Sequence, residues 1–261
     1  MLARESSAAR HARHAGRALT FVAEGEGTPV LYFHGGGDSH LSRPAETHGV
    51  RLIAVDRCGE RVRGRTLRSW ADDIVQLADE LALERFAVVG WSAGGPHALA
   101  VAAVAPDRVT CVELVASMPP PDRVDTLPSD VQMVMRLARR SPKLAALGLE
   151  RWGRKTPDPT GDAAHDDAYA RGRVEAFRKG GGWLAHELAY LGRPWGFELV
   201  DVKPHVIIWY GDRDHVTPPQ LGPVFAERLP NAELRKVDAT HQILFSHWRE
   251  ILADAVQRTH R

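Results

Sequence analysis

Apolar residues along this chain fall into short continuous runs, separated by longer stretches in which they recur every three or four positions. The runs at 18–23, 30–33, 51–55, 86–89, 109–115, 205–210 and 233–237 have the length and β-branched content of strands, the first of them weakly. Between them, Ser69 can cap a helix reaching residue 83, in which Ile74, Leu77, Ala78 and Leu81 share one face. A second helix, over 93–105, stops at Pro106, and others are predicted over 218–229 and 241–257. Strands that alternate with helices, without two-residue hairpin turns, predict an α/β fold with a mostly parallel sheet covered on both faces.

The pattern changes from Pro119-Pro120-Pro121 to about Gly196, where helical periodicity appears at 131–138, 142–152, 163–179 and 182–191 and strand signals are absent. The simplest account is a helical cap, 119–196, inserted into a core made of 18–118 and 197–261. Residues 1–17, with Arg4, Arg10, Arg13 and Arg17 among alanines and histidines, read as a flexible, solvated tail. They lack the apolar stretch of a secretory signal, and no run has the length of a membrane span.

Composition narrows the partners. The chain has 261 residues, 44% of them hydrophobic, and sets 34 Lys and Arg against 33 Asp and Glu for a formal charge of +1. So even a balance gives no overall field to draw nucleic acid or an anionic membrane, so the expected partner is a small-molecule substrate, met by a monomer or homodimer. Cys58 and Cys111 have no disulfide or metal spacing, which suits a reducing cytoplasm. His40, His48 and His97 lack ligand spacing and no H-E-x-x-H is present, so neither a metal nor another cofactor is expected.

The chemistry concentrates in Val88-Val89-Gly90-Trp91-Ser92-Ala93-Gly94-Gly95, where a strand meets a G-x-S-x-G turn and an Ala-rich helix. This is the pattern of a nucleophile elbow, which lifts a serine hydroxyl above the sheet beside the N-terminus of a helix. A serine needs a base, and the base a carboxylate, in the chain order Ser, acid, His on such a sheet. His241 follows the last predicted strand. Asp212, Asp214 and Asp238 are the acids within range.

The segments Tyr32-Phe33-His34-Gly35, Asp56-Arg57-x-Gly59, Gly90 to Pro96, Gly211-Asp212-Arg213-Asp214 and His241 resemble those of bacterial α/β-hydrolase fold proteins of the epoxide-hydrolase and proline-iminopeptidase-like branch. The resemblance spans nearly all of 31–252. It implies Ser92, Asp214 and His241 as catalytic residues, with Asp214 the later acid of a G-x-x-D pattern, and the backbone N–H groups of Gly36 and Ala93 as the oxyanion hole. His34 would brace that loop. No carboxylate stands at Ala116-Ser117-Met118, where some relatives carry the acid. The chain departs from the family in the charged turn 56–64, in Thr240 where a glycine is usual, and in Gln242 where an aromatic is common.

The resemblance implies a serine hydrolase acting on a carboxylic ester or lactone. An acyltransferase or cyclase of specialised metabolism, or a receptor that retains its ligand, would use the same groups. The apolar cap residues Met133, Met135, Leu137, Trp152, Phe177 and Trp183 are candidates for the pocket, with Met133 and Trp183 expected to touch substrate beside Gly35 and Trp91. Arg57, Arg61 and Arg63 could face an acidic substrate, but solvated surface charge is the stronger reading.

Overall fold

The computed structural model describes residues 10–14, 17–58, 64–155, 160 and 162–259. In chain order the elements are β1 (Arg10–His14), β2 (Arg17–Glu24), β3 (Thr28–Phe33), β4 (Val50–Val55), α1 (Leu67–Glu80), β5 (Phe86–Trp91), α2 (Gly94–Val104) and β6 (Val109–Val115). There follow α3 (Ser129–Arg140), α4 (Pro142–Gly153), α5 (Ala163–Ala176), α6 (Gly182–Leu191), β7 (His205–Gly211), α7 (Leu221–Arg228), β8 (Ala232–Val237), α8 (Ile243–Ser246) and α9 (Trp248–Thr259). No helix of the described residues is long and apolar enough to cross a membrane.

The eight strands form one sheet in the order β1-β2-β4-β3-β5-β6-β7-β8, parallel from β4 to β8 and antiparallel at β1 and β2. Alternation with period two sends Leu31, Phe33, Val88, Leu114 and Ile208 to one face, against α1, α2 and α7. It sends Val30, Tyr32, Val89, Ile207 and Trp209 to the other, against α8 and α9. Helix α2 is buried from Gly94 to Ala102, which explains why it is apolar on every side rather than amphipathic.

Four readings change. Residues 10–14, expected in a solvated tail, pair antiparallel with β2, so a hairpin does open the sheet. An edge strand is held by backbone hydrogen bonds, which a composition of arginines, alanines and histidines does not report. Residues 1–9 lie outside those described. Helix α1 is capped by Thr66, and Ser69 returns the bond to the Thr66 backbone in a capping box. The C-terminal helix begins at Trp248 after the separate turn α8, rather than running from His241.

The helices α3 to α6 sit between β6 and β7 in the chain and contribute Met135, Ala138, Ala145, Leu149, Trp183 and Leu184 to the same apolar cluster as α1 and α2. A buried ion pair ties this layer to the sheet. Arg57, after β4, donates from Nε to Glu187 of α6 at 2.8 Å, with both side chains almost wholly enclosed.

Candidate active site

The C-terminal ends of β3, β5, β7 and β8 converge on one place, as parallel α/β sheets build their sites. At the end of β5, Ser92 has φ of +54°, a left-handed conformation that a non-glycine residue adopts only under constraint. The constraint is steric. A Cβ at Gly94 would overlap the Phe33 carbonyl, and one at Gly95 would overlap the Ser117 side chain. Ser92 N–H donates to the Val115 carbonyl at 2.9 Å, and its own carbonyl accepts from Gly95 and Met118 at 3.0 Å each. The turn is therefore held on three sides.

Ser92 Oγ lies 3.1 Å from His241 Nε2, and His241 Nδ1 lies 2.9 Å from Asp214 Oδ2. Asp214 is buried, and burial alone would raise its carboxyl. The facing His241 and the N–H and O–H donors of Thr217 hold it below the ordinary carboxylate value instead. Its Oδ1 accepts from the Val216 and Thr217 backbone N–H groups at 2.7 and 2.9 Å. An ionised Asp214 fixes the ring proton on Nδ1, which leaves Nε2 free to accept from Ser92.

Thr217 is a participant that the sequence reading missed. Its Oγ1 lies 2.8 Å from Asp214 Oδ2, 3.2 Å from His241 Nδ1 and 3.0 Å from the Ala116 carbonyl. The segment Asp214-His215-Val216-Thr217 does carry a signal, because an Asp followed by a hydroxyl residue three positions on forms a turn closed by side-chain bonds.

The loop after β3 brings Gly36 beside Ala93, since a Cβ on Gly36 would come within 3.4 Å of the Ala93 Cβ. Beneath it, His34 Nε2 accepts the Arg57 N–H at 3.0 Å, so its proton sits on Nδ1 and bonds the Gly35 carbonyl at 2.9 Å. Burial, and then the Arg57 charge, lower the His34 pKa to about 4 and keep the ring neutral. Arg57 also donates to the His34 carbonyl. It is thus a buried brace of the loop and not the solvated charge expected. Arg61 and Arg63 lie outside the described residues.

The expected pocket residues separate. Met133 is 62% exposed. Val131, Met135 and Ala138 form the packed stripe of α3, and a residue two positions from Met135 faces nearly the opposite side of the helix. Trp91 is buried under His241, to whose carbonyl its Nε1 donates at 3.1 Å, and it acts as a support rather than a wall. Trp183 donates to the Ala176 carbonyl at 2.7 Å and sets its ring edge-on to His34. Gly35 is buried against Trp91 and the Asp38 carboxylate. Trp152 crosses Gly37, where φ of +80° and the absence of a Cβ both make room for it.

Asp38, Tyr169 and Arg173 also border this region and were not foreseen. His34, Asp56 and Cys58 stand close enough to suggest a metal-binding cluster. Their polar atoms already hold the turn, however, with Asp56 Oδ1 accepting from the Cys58 N–H at 3.1 Å and His34 Nε2 engaged with Arg57.

Comparison with known proteins agrees with this architecture. A pimeloyl-[acyl-carrier protein] methyl ester esterase of Chromobacterium violaceum is 28% identical over 243 residues, which are 87% of this chain and 92% of that protein. Among solved structures, the esterase RhEst1 from a Rhodococcus species superposes with a TM-score of 0.72 at 20% identity, covering 96% of this chain and 98% of its own. The epoxide hydrolase CorEH gives 0.73 at 17% identity, with 97% and 98% covered. A family model for the alpha/beta hydrolase fold matches residues 28–247. The chain belongs to the α/β-hydrolase fold family.

Proposed function

We propose that the protein is a serine esterase that cleaves a small-molecule carboxylic ester or lactone through an acyl-enzyme on Ser92. The observation that carries this reading is the unbroken line of hydrogen bonds from Ser92 through His241 to a buried Asp214. In the first step Ser92 Oγ bonds to the carbonyl carbon while its proton passes to His241 Nε2, and the carbonyl electron pair moves onto the oxygen. That oxygen faces the N–H groups of Gly36 and Ala93. Donors so placed contribute about a hundredfold or more each, because they are oriented before the charge forms. Collapse of the intermediate expels the alcohol, which takes the proton from His241. Water then repeats the sequence and releases the acid.

A serine here, in place of an aspartate, supports acyl transfer over the alkyl-enzyme route. The esterase named among the relatives supports the same class, carboxylic ester hydrolysis. The test is to expose the protein and its Ser92→Ala variant to a fluorophosphonate probe, and then to a panel of aryl esters and lactones. Labelling and turnover of the parent, both lost in the variant, are expected. Labelling that persists in the variant would remove Ser92 from its role.

A further inference from the structure

Resting on the esterase reading, we propose that Arg173 of α5 is a carboxylate-recognition residue, which selects esters whose substrate bears a second, anionic group a short chain away from the scissile carbonyl. Arg173 is only 6% exposed, yet its guanidinium is left almost without hydrogen-bond partners among the described residues. Among the described residues its Nε has no hydrogen-bond partner, and its one bond is a long one, 3.4 Å from Nη2 to the Tyr169 hydroxyl. Among the described residues no carboxylate forms an ion pair with it. Guanidinium offers five N–H donors in a planar fork, and a buried cation with its donors unused is strongly disfavoured unless something supplies the acceptor.

The surroundings say what that acceptor is. Arg173 Cζ lies over the Trp152 ring, 4.2 Å from its centroid, and 5.5 Å from the centroid of Tyr169, so aromatic rings pack against the guanidinium while the unpartnered Nε keeps part of its N–H edge as the binding surface. A planar fork presented by its edge matches the two oxygens of a carboxylate. Position ties this edge to the reacting atoms. Trp152 lies against Gly37, one residue beyond Gly36. Tyr169 stands edge-on to Trp91 at 5.8 Å, and Trp91 underlies His241. Asp38 lies against Gly35 of the same loop, and the charges of Arg173 and His241 both act on its carboxyl. Burial pushes the Asp38 carboxyl up to about 7, so near neutral pH it can donate to an incoming anion and does not fully neutralise Arg173.

Matched esters test this. Monomethyl glutarate and monomethyl adipate are compared with methyl pentanoate and methyl hexanoate, which replace the free carboxylate with a methyl group, on the parent protein and on Arg173→Met and Arg173→Lys. The parent is expected to favour the hemiesters in kcat/KM roughly tenfold or more, as a charge-assisted pair allows. Arg173→Met should erase that ratio whatever happens to absolute rates, through KM more than kcat, and Arg173→Lys should restore part of it. A parent that is labelled by fluorophosphonate at Ser92 but shows no hemiester preference overturns this inference and leaves the esterase reading intact. A ratio unchanged in Arg173→Met overturns it too, and makes Arg173 a structural counter-charge for Asp38. Absence of Ser92 labelling would instead defeat the esterase reading beneath it.

Discussion

Thr217 illustrates how much of the site rests on single hydroxyl groups. Its Oγ1 touches both partners of the Asp214–His241 pair, and its single O–H is shared between Asp214 Oδ2 and the more distant Ala116 carbonyl, so it limits rotation of the carboxylate and the ring together. Thr217→Val keeps the shape and deletes these bonds. We expect kcat to fall about tenfold, close to the worth of one hydrogen bond to a charged group, while fluorophosphonate still labels Ser92 slowly. A kcat unchanged in steady-state assays would show that Asp214 is held well enough by its two backbone donors. Ser92 and His241 were legible in the sequence because the elbow is a local pattern and because few histidines follow the last strand. Asp38, Tyr169 and Arg173 were not, since their meeting depends on how α5 packs over the loop after β3, a contact between segments more than 130 residues apart.

Among the elements, α6 carries a buried ionic tie to the loop after β4. Arg57 and Glu187 are both buried, and Arg57 also holds the His34 carbonyl, so a single ion pair fixes α6 over the loop that presents Gly36. Glu187→Gln removes one charge and leaves the other enclosed without compensation. Such a change costs about 3–5 kcal/mol, and denaturant unfolding should show a loss on this scale. A loss under ~1 kcal/mol would mean that water reaches the pair. Parallel strands and buried helices were legible at this scale because apolar runs and periodicity report burial directly. The strand β1 and the break before α9 were not, since the first is an edge held by its backbone and the second is a local turn at His247. That Met133 is exposed on α3 was not legible for a related reason: apolar character marks a residue, but only the helix phase shows which way it faces.

For the whole molecule, two buried groups on the same loop set opposing responses to pH. His34 has an ordinary value of 6.5 and about 4 in the folded protein, so its neutral form is favoured there. The stability it allows is present above pH 6.5 and is lost as pH falls toward 4, because the unfolded chain takes up the proton first. Asp38 has an ordinary value of 3.8 and about 7 when folded. Its contribution is fully present below pH 3.8 and is lost as pH rises through 7, because the unfolded chain releases the proton first. Between about pH 4 and pH 6.5 the two slopes cancel. Asp38→Asn should therefore expose the slope of His34, with unfolding free energy rising by about 1.4 kcal/mol per pH unit more than in the parent across that window. Parallel curves for the two proteins would show that Asp38 titrates normally.

These effects all surround one hydroxyl group, and chemical trapping reads it directly. The protein is treated with a fluorophosphonate, digested, and the modified residue mapped by mass spectrometry, with His241→Ala as the companion. A single adduct on Ser92, formed far more slowly without the imidazole, is the predicted result. An adduct on another residue, or one on Ser92 that forms as fast in His241→Ala, would contradict the account.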